Sequence, residues 1–318
     1  MTMSSPDSAS TTAAEQTSLP ADLQDERLIA SQGVGGALSA FIARLRSGDL
    51  GSLPVVLGLI IIWGVFQALN SSFLSSRNLV NLTLQSAAVG TIAIGIVLVL
   101  LLGEIDLSVG SVYGLASAVL AVTFVNRQWP LALAVLVAVV VGILIGLLFG
   151  ALYTRFGVPS FVITLAGLLG FLGVQIYVLG KDGTINLPFD SALVQFGQQD
   201  FLPDAVAYLL VGLTVGAYLL SRLRTRASRA GAGLSAPPVS ALVVRAAALA
   251  VGLALPAYVL NRDRGVSVMF VFFLVLVVIV DLAIRRPRWG RSVMAAGGPG
   301  DAAGGAVGRG QASYPAGV

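Results

Sequence analysis

Apolar and polar positions along this chain are grouped in long blocks rather than alternating singly. Eight apolar runs of 16 to 25 residues occupy positions 53–69, 82–102, 107–125, 129–153, 161–179, 205–220, 241–260 and 266–284. At about 1.5 Å of rise per residue, each is long enough for a helix to cross a hydrocarbon core roughly 30 Å thick. None alternates with the period of two that a membrane β-strand requires. The pattern therefore predicts an all-α fold, a polytopic membrane helix bundle with about eight transmembrane helices. The break between the second and third runs is marked by Glu104 and Asp106. Two neighbouring acids in hydrocarbon would cost several kcal/mol, which places them at an interface.

The polar blocks set the domain organisation. Residues 1–50 are rich in Ser, Thr, Ala and acids and are expected to be disordered or interfacial. Within them, positions 37–45 suit a short surface helix with Phe41 and Leu45 toward lipid and Arg44 and Arg46 toward headgroups. No apolar stretch follows a basic start before Leu53, so this is not a secretory signal. Residues 53–284 form the transmembrane domain, 285–303 a basic and then glycine-rich segment, and 304–318 a tail without helical periodicity.

Charge then orients the bundle. With the N-terminus in the cytoplasm, Arg44, Arg46, Arg155, Arg222, Arg224, Arg226, Arg229, Arg245, Arg285, Arg286, Arg288 and Arg291 fall inside. Only Arg77, Arg127, Lys181, Arg262 and Arg264 fall outside, in the sense of the positive-inside rule. The longest outside connection, 180–204, carries Asp182, Asp190, Asp200 and Asp204 and offers a landing surface for an extracytoplasmic partner.

Composition narrows the function classes. Hydrophobic residues make up 56% of the chain and charged residues 11%, against roughly 25% charged in a soluble domain, so lipid is the solvent for most of the surface. The chain has no Cys and no His, and its one Lys is Lys181. Disulfides, Cys/His metal sites, histidine catalysis and a P-loop are excluded, so any nucleotide-driven step belongs to another chain. The pI of about 9.8 does not imply nucleic acid, because the arginines flank apolar runs and no polar domain carries a basic groove. Two ridges of small residues, Gly142/Gly146/Gly150 and Gly110/Gly114/Ala118, permit close helix approach, as in most large helical membrane proteins.

Three segments carry the remaining information. In GEIDLSVGS, residues 103–111, Asp106 is placed to accept from the backbone N–H of Ser108 or Val109 and cap a helix starting near Leu107; a direct substrate contact is the sharper alternative. In RFGVPSFVITLAG, residues 155–167, Pro159 and Ser160 open a helix and Thr164 sets a hydroxyl in an apolar wall, which an ordinary helix start also explains. PRWGRSVMAAGGPGDAA, residues 287–303, suits either a docking loop for a partner protein or a solvated basic end.

Together these segments resemble the permease subunits of bacterial ATP-binding-cassette importers for ribose, xylose and related sugars. GEIDLSVGS and VPSFVITLAGLL are similar to the two membrane signatures of that family, and GRSVMAAGG to the start of its cytoplasmic coupling segment. The likeness is greatest to the xylose permeases, and it extends to GLSAPPVSALVVR and LNRDRGV. It implies a homodimer around a central path, with two cytoplasmic ATPase subunits, a periplasmic sugar-binding protein and membrane lipids as partners, and no cofactor in this chain. The expected structural motif is Glu104, Asp106, Ser108, Pro159 and Ser160, and the coupling residues are Gly290, Arg291, Ala295, Gly297 and Gly298. A neutral sugar needs hydroxyl and amide partners, which nominates Gln67, Asn70, Gln85, Tyr113, Thr164, Gln175 and Tyr177 for the path.

Two rivals stand beside this reading. An ion-coupled secondary transporter normally keeps an ionisable residue near the midplane, whereas here only Asp281 lies well inside an apolar run. A non-transporting fragment is the other, because the family likeness ends after Ala303, with Pro299 and Gly300 already departing from it. That departure is the expectation for a truncated or frameshifted C-terminus.

Overall fold

The computed structural model describes residues 53–234 and 239–285, together with Gly290 and Val293. The expectations for 1–50, for the surface helix at 37–45, for Arg291, Ala295, Gly297 and Gly298 and for the tail at 304–318 lie outside the described residues. Eight helices follow the apolar runs: α1 Leu53–Leu69, α2 Ser76–Leu100, α3 Val109–Ala121, α4 Leu131–Phe156, α5 Ser160–Leu179, α6 Asp204–Gly231, α7 Val239–Asn261 and α8 Val268–Arg285. Seven reach membrane-spanning length, α3 doing so with the wider turn that continues it, and α1 is a shorter apolar helix of 17 residues. Their large side chains face outward: Leu69, Phe156 and Leu169 are 79%, 70% and 67% exposed. Water would not tolerate so much contiguous apolar surface, and lipid does.

Helix ends differ from the apolar runs where polar residues can also be helical. α2 starts at Ser76, six residues before its run, where Asn78 donates through Nδ2 to the Phe73 carbonyl at 2.7 Å. α3 starts at Val109 rather than near Leu107, because Asp106 and Ser108 form a turn first. It ends in a wide turn, Val122–Asn126, closed by the Arg127 N–H on the Val122 carbonyl at 2.9 Å. α4 stops at Gly157, whose φ of 65° is left-handed, and Pro159 caps α5. α6 runs on to Gly231, well beyond the end of its apolar run at 220, and α7 contains Pro256.

The chain divides into two compact units. The first comprises the described residues up to Leu79 and Leu202–Gly265. In it, Phe73 of the turn after α1 stacks on Phe66 at 5.3 Å and meets Trp63 edge-on at 6.0 Å. The antiparallel α6 and α7 form a hairpin, with Ala207, Ala246, Ala257 and Leu260 buried.

The second unit comprises Val80–Phe201 and the described residues from Val266 onward. Its centre is α3, packed on α5 and α4 through small side chains such as Ala118, Ala121, Ala134 and Ala138. Such residues bring helix backbones close where lipid supplies no hydrophobic drive. The connection after α5 is partly helical, at Ala192–Val194 and Gln195–Gln199, and is anchored to the start of α8. There the Val268 N–H donates to the Asp200 carbonyl at 3.0 Å, and Phe196 lies edge-on to Phe272 at 5.6 Å. Gly142, Gly146 and Gly150 face open space, so within the described residues that ridge packs on nothing; a Cβ on Gly114 would instead meet the Gln175 side chain.

Candidate functional site

The site forms at one end of the second unit, where α2 gives way to α3 and α4 to α5. α2 closes with the Gly103 N–H on the Leu100 carbonyl at 2.9 Å and the Glu104 N–H on the Val99 carbonyl at 3.4 Å. This double closure places Gly103 at φ 80°, a left-handed position that glycine adopts without a Cβ penalty. The turn sends Glu104 toward the end of α4. There the Tyr153 hydroxyl donates to Glu104 Oε1 at 2.6 Å, and the Ser160 hydroxyl also bonds the carboxylate. Ser160 first and Tyr153 second hold the Glu104 carboxyl below the usual carboxylate range, against a smaller opposing effect of burial. Glu104 is therefore an anion at neutral pH, tied to both arms of the α4–α5 turn.

Two residues on, Asp106 Oδ1 accepts from the Ser108 N–H and from the Ser108 hydroxyl, each at 2.7 Å. The expected bond to Ser108 is present, but Asp106 sits two residues ahead of the helix cap, which is Ser108 itself. Ser108 is fully buried, so the carboxylate satisfies two donors that have no access to water. Ser111 Oγ lies 2.8 Å from the Ser108 carbonyl oxygen and 3.5 Å from that of Gly167 on α5. Thr164, also buried, places Oγ1 3.4 Å from the Ile105 carbonyl oxygen.

These contacts join the GEIDLSVGS and VPSFVITLAG segments, about 50 residues apart in sequence, into one polar seam. Moving from Ile105, ahead of α3, to Ser111 and Gly114 on α3, the partners on α5 are Thr164, Gly167 and Gln175. The two helices thus run parallel. At the upper end of the seam a Cβ on Gly114 would lie 2.8 Å from Gln175 Cδ, so the amide fills the space that a glycine leaves.

Of the nominated residues, Glu104, Asp106, Ser108, Ser160, Thr164 and Gln175 lie along this seam, and Pro159 caps the helix that bears the last three. Tyr113, beside Gly114, is 55% exposed and Tyr177 on α5 is 87% exposed, while Gln85 is exposed on α2. Gln67 and Asn70 belong to the first unit and serve the turn after α1. Gln67 accepts from the Leu74 N–H at 2.9 Å and donates to the Ser71 carbonyl at 3.1 Å, and Asn70 Oδ1 accepts from the Ser72 N–H at 3.0 Å. Gly290 is buried, and a Cβ there would lie 2.6 Å from Ile284 Cα at the end of α8.

Tyr153 was not nominated from sequence. The signal that finds it is topological: in an up-and-down bundle the last turn of α4 shares an end with the loop before α3, and a tyrosine there can reach an acid. Asp281, the acid inside α8, is held by Arg285 Nε at 2.6 Å one turn on, which lowers its cost near hydrocarbon.

Comparison with known proteins places this geometry in context. Residues 78–307 match the family described as branched-chain amino acid transport system / permease component. Over 229 residues, 72% of this chain and 58% of the relative, the chain is 35% identical to the xylose transport system permease protein XylH of Escherichia coli strain K12. It is 32% identical over 261 residues to the Haemophilus influenzae protein of the same description, covering 82% of this chain and 69% of that one. It is 39% identical over 155 residues to the ribose import permease protein RbsC of Bacillus subtilis, covering 49% and 48%. The chain thus spans under three fifths of the length of the E. coli xylose relative. No solved structure matches.

Proposed function

Because the chain belongs to the branched-chain amino acid transport system permease family and is a permease of the ribose/xylose type, we propose that it is the membrane subunit of an ATP-binding-cassette importer for a pentose, xylose first. In this reading a periplasmic binding protein delivers the sugar to the face bearing the 180–204 connection, and the N-terminus is cytoplasmic. Two permeases pair around the path, and separate ATPase subunits drive it. This subunit performs no chemistry of its own.

The observation that carries the proposal is the seam joining the two signature segments. Along it the uncharged polar groups are hydroxyls, an amide and backbone carbonyls, the partners a neutral sugar needs, while both carboxylates are engaged within the protein, Glu104 with Tyr153 and Ser160 and Asp106 with Ser108. Thr164, Gln175 and Tyr113 are the path candidates that this arrangement favours, with Tyr177 and Gln85 on exposed faces left for a second copy or lipid. Residues 285–303, with Gly290, Arg291, Ala295, Gly297 and Gly298, are the coupling segment; they follow α8, whose end at Arg285 falls, by the alternation of helix directions, on the same side of the membrane as the Glu104 turn. Closure of the ATPase pair would push on that end, and the Glu104 ties would carry the motion from the turn into α4 and α5 together.

The test is genetic and biochemical. A strain lacking this gene should lose high-affinity xylose uptake, and the gene should restore it only alongside an ATPase subunit with an intact Walker lysine. Uptake that persists with the inactive ATPase, or that collapses with a protonophore while ATP is maintained, would reject the proposal in favour of ion coupling.

A further inference from the structure

The connection after α5 holds three aromatic residues, Phe189, Phe196 and Phe201, and one of them differs from the others. Phe196 and Phe201 are half-buried, the first against Phe272 and the second in an antiparallel bridge with Ser267. Phe189 is 76% exposed. Its backbone is nonetheless held on every side. The Phe189 carbonyl accepts from Gln199 Nε2 at 2.9 Å, and the Asp190 carbonyl accepts from Gln195 Nε2 at 3.2 Å. The Pro188 carbonyl accepts from the Ser191 hydroxyl at 2.6 Å and from its N–H at 3.0 Å. The turn that supplies Gln195 and Gln199 is itself fixed to α8, through the Val268 N–H on the Asp200 carbonyl at 3.0 Å. The same connection exposes Asp182, Asp190 and Asp200 against a single cation, Lys181.

Resting on the importer reading and its orientation, we propose that Phe189 anchors the docking of the extracytoplasmic sugar-binding protein by filling an apolar pocket rimmed with Lys or Arg on that partner. Water rather than lipid surrounds the turn. Residues 180–191 form no helix, and Gly180 and Gly183 take φ of 75° and 64°. Irregular backbone facing hydrocarbon would leave N–H and C=O groups unpaired, so this stretch lies beyond the apolar layer. A large aromatic held in water gains by burial against a partner. The acids decide which partner: a connection of net negative charge repels anionic headgroups, whereas it attracts and steers a protein surface with a basic rim. The bonds at Pro188, Phe189 and Asp190 set the ring's position before the partner arrives, so little ordering entropy is lost on docking. Buried aromatic side chains inside a polar rim are the common anchors of such interfaces.

The experiment uses the whole chain in intact cells, with photoreactive benzoylphenylalanine in place of Phe189 or, for comparison, of the exposed Thr184. Adducts formed on irradiation are identified by mass spectrometry. Position 189 should join to a periplasmic sugar-binding protein, and Asp182→Asn, Asp190→Asn and Asp200→Asn together should lower the yield severalfold. That binding protein, purified and titrated onto the whole chain in phosphatidylcholine nanodiscs, should bind the Phe189→Ala variant about tenfold or more weakly than the unmodified chain. Phe189→Tyr should keep most of the affinity, and neither variant should move the melting temperature, because the ring is exposed. An adduct of position 189 with phospholipid alone would overturn the proposal and make Phe189 an interfacial lipid contact. An adduct with a protein of another kind would also reject it and transfer the surface to that partner. A binding-protein adduct at 184 without one at 189, or Phe189→Ala affinity within about twofold of the unmodified chain, would remove the anchor and leave the importer reading intact. Absence of a binding-protein adduct at both positions would reject the proposal, and the importer reading falls with it only if uptake also persists with the inactive ATPase.

Discussion

Asp106 offers the sharpest test of how the seam is held. Its Oδ1 accepts two bonds of 2.7 Å, from the N–H and the hydroxyl of Ser108, and Ser108 is fully buried. Replacing Asp106 by Asn keeps an oxygen in place but makes both bonds neutral. Hydrogen bonds to a charged partner contribute about 1.5–3 kcal/mol and neutral ones about 0.5–1.5, so a loss of about 1–2 kcal/mol is expected. Replacing it by Leu removes both bonds and strands the Ser108 N–H in a buried place, a further penalty of about 1–3 kcal/mol. The Ser108 hydroxyl can rotate toward another acceptor, so only one donor is counted as stranded, and the total comes to about 3 kcal/mol. The assay is the apparent melting temperature of a fluorescent-protein fusion in detergent, followed by size-exclusion chromatography. Only the order of the variants is interpreted, since a multi-helix membrane protein need not unfold in two states. The expected order is wild type, then Asp106→Asn, then Asp106→Leu, with uptake retained in the Asn variant. Equal loss of uptake in both variants at normal protein levels would show that the charge itself is required and would refute the positional reasoning.

Four further outcomes follow from the same geometry. Because Glu104 is held below the usual carboxylate range, its ties to Ser160 and Tyr153 stabilise the fold at neutral pH, and that contribution is lost as pH falls through its lowered value; Tyr153→Phe should reduce stability at pH 7 and flatten the acid limb of the melting profile, and an unchanged profile would remove Tyr153 from the site. Gly90→Ala should destabilise by about 1 kcal/mol or more, because a Cβ there would lie 2.6 Å from the Phe273 ring, whereas Gly95→Ala meets nothing and should be neutral or slightly stabilising in the same melting assay. Gly103→Val should cost about 1–2 kcal/mol through the left-handed φ of 80°, a cost that would be absent if the α2 turn were free to reorganise. Since the chain has no Cys, a single cysteine at Ser191 should react with an impermeant thiol reagent in intact cells and one at Ser228 should not; the reverse labelling would invert the proposed orientation.

Much of this protein was determined by sequence alone. The number and type of the helices followed from eight apolar runs, because in lipid a backbone must bond within its own segment and a helix is the economical way to do so. The family was legible in three short segments whose polar residues interrupt otherwise apolar surroundings. Hydropathy was a poor guide to where helices end: α6 continues to Gly231 because Arg, Ala and Ser are as helical in water as in lipid, and Gly103 and Gly157 are stops that only backbone angles reveal. Tertiary structure alone decided the partnerships. Thr164 beneath Ile105 and Gln175 against Gly114 depend on α3 and α5 lying side by side and parallel, and Tyr153 on Glu104 depends on the end of α4 meeting the turn before α3, relations with no period along the chain. It likewise turned Gln67 and Asn70 toward the backbone after α1, and left Gly142, Gly146 and Gly150 facing outward. A side chain's type limits which bonds it can form, but the bond it forms is set by which helix reaches it first.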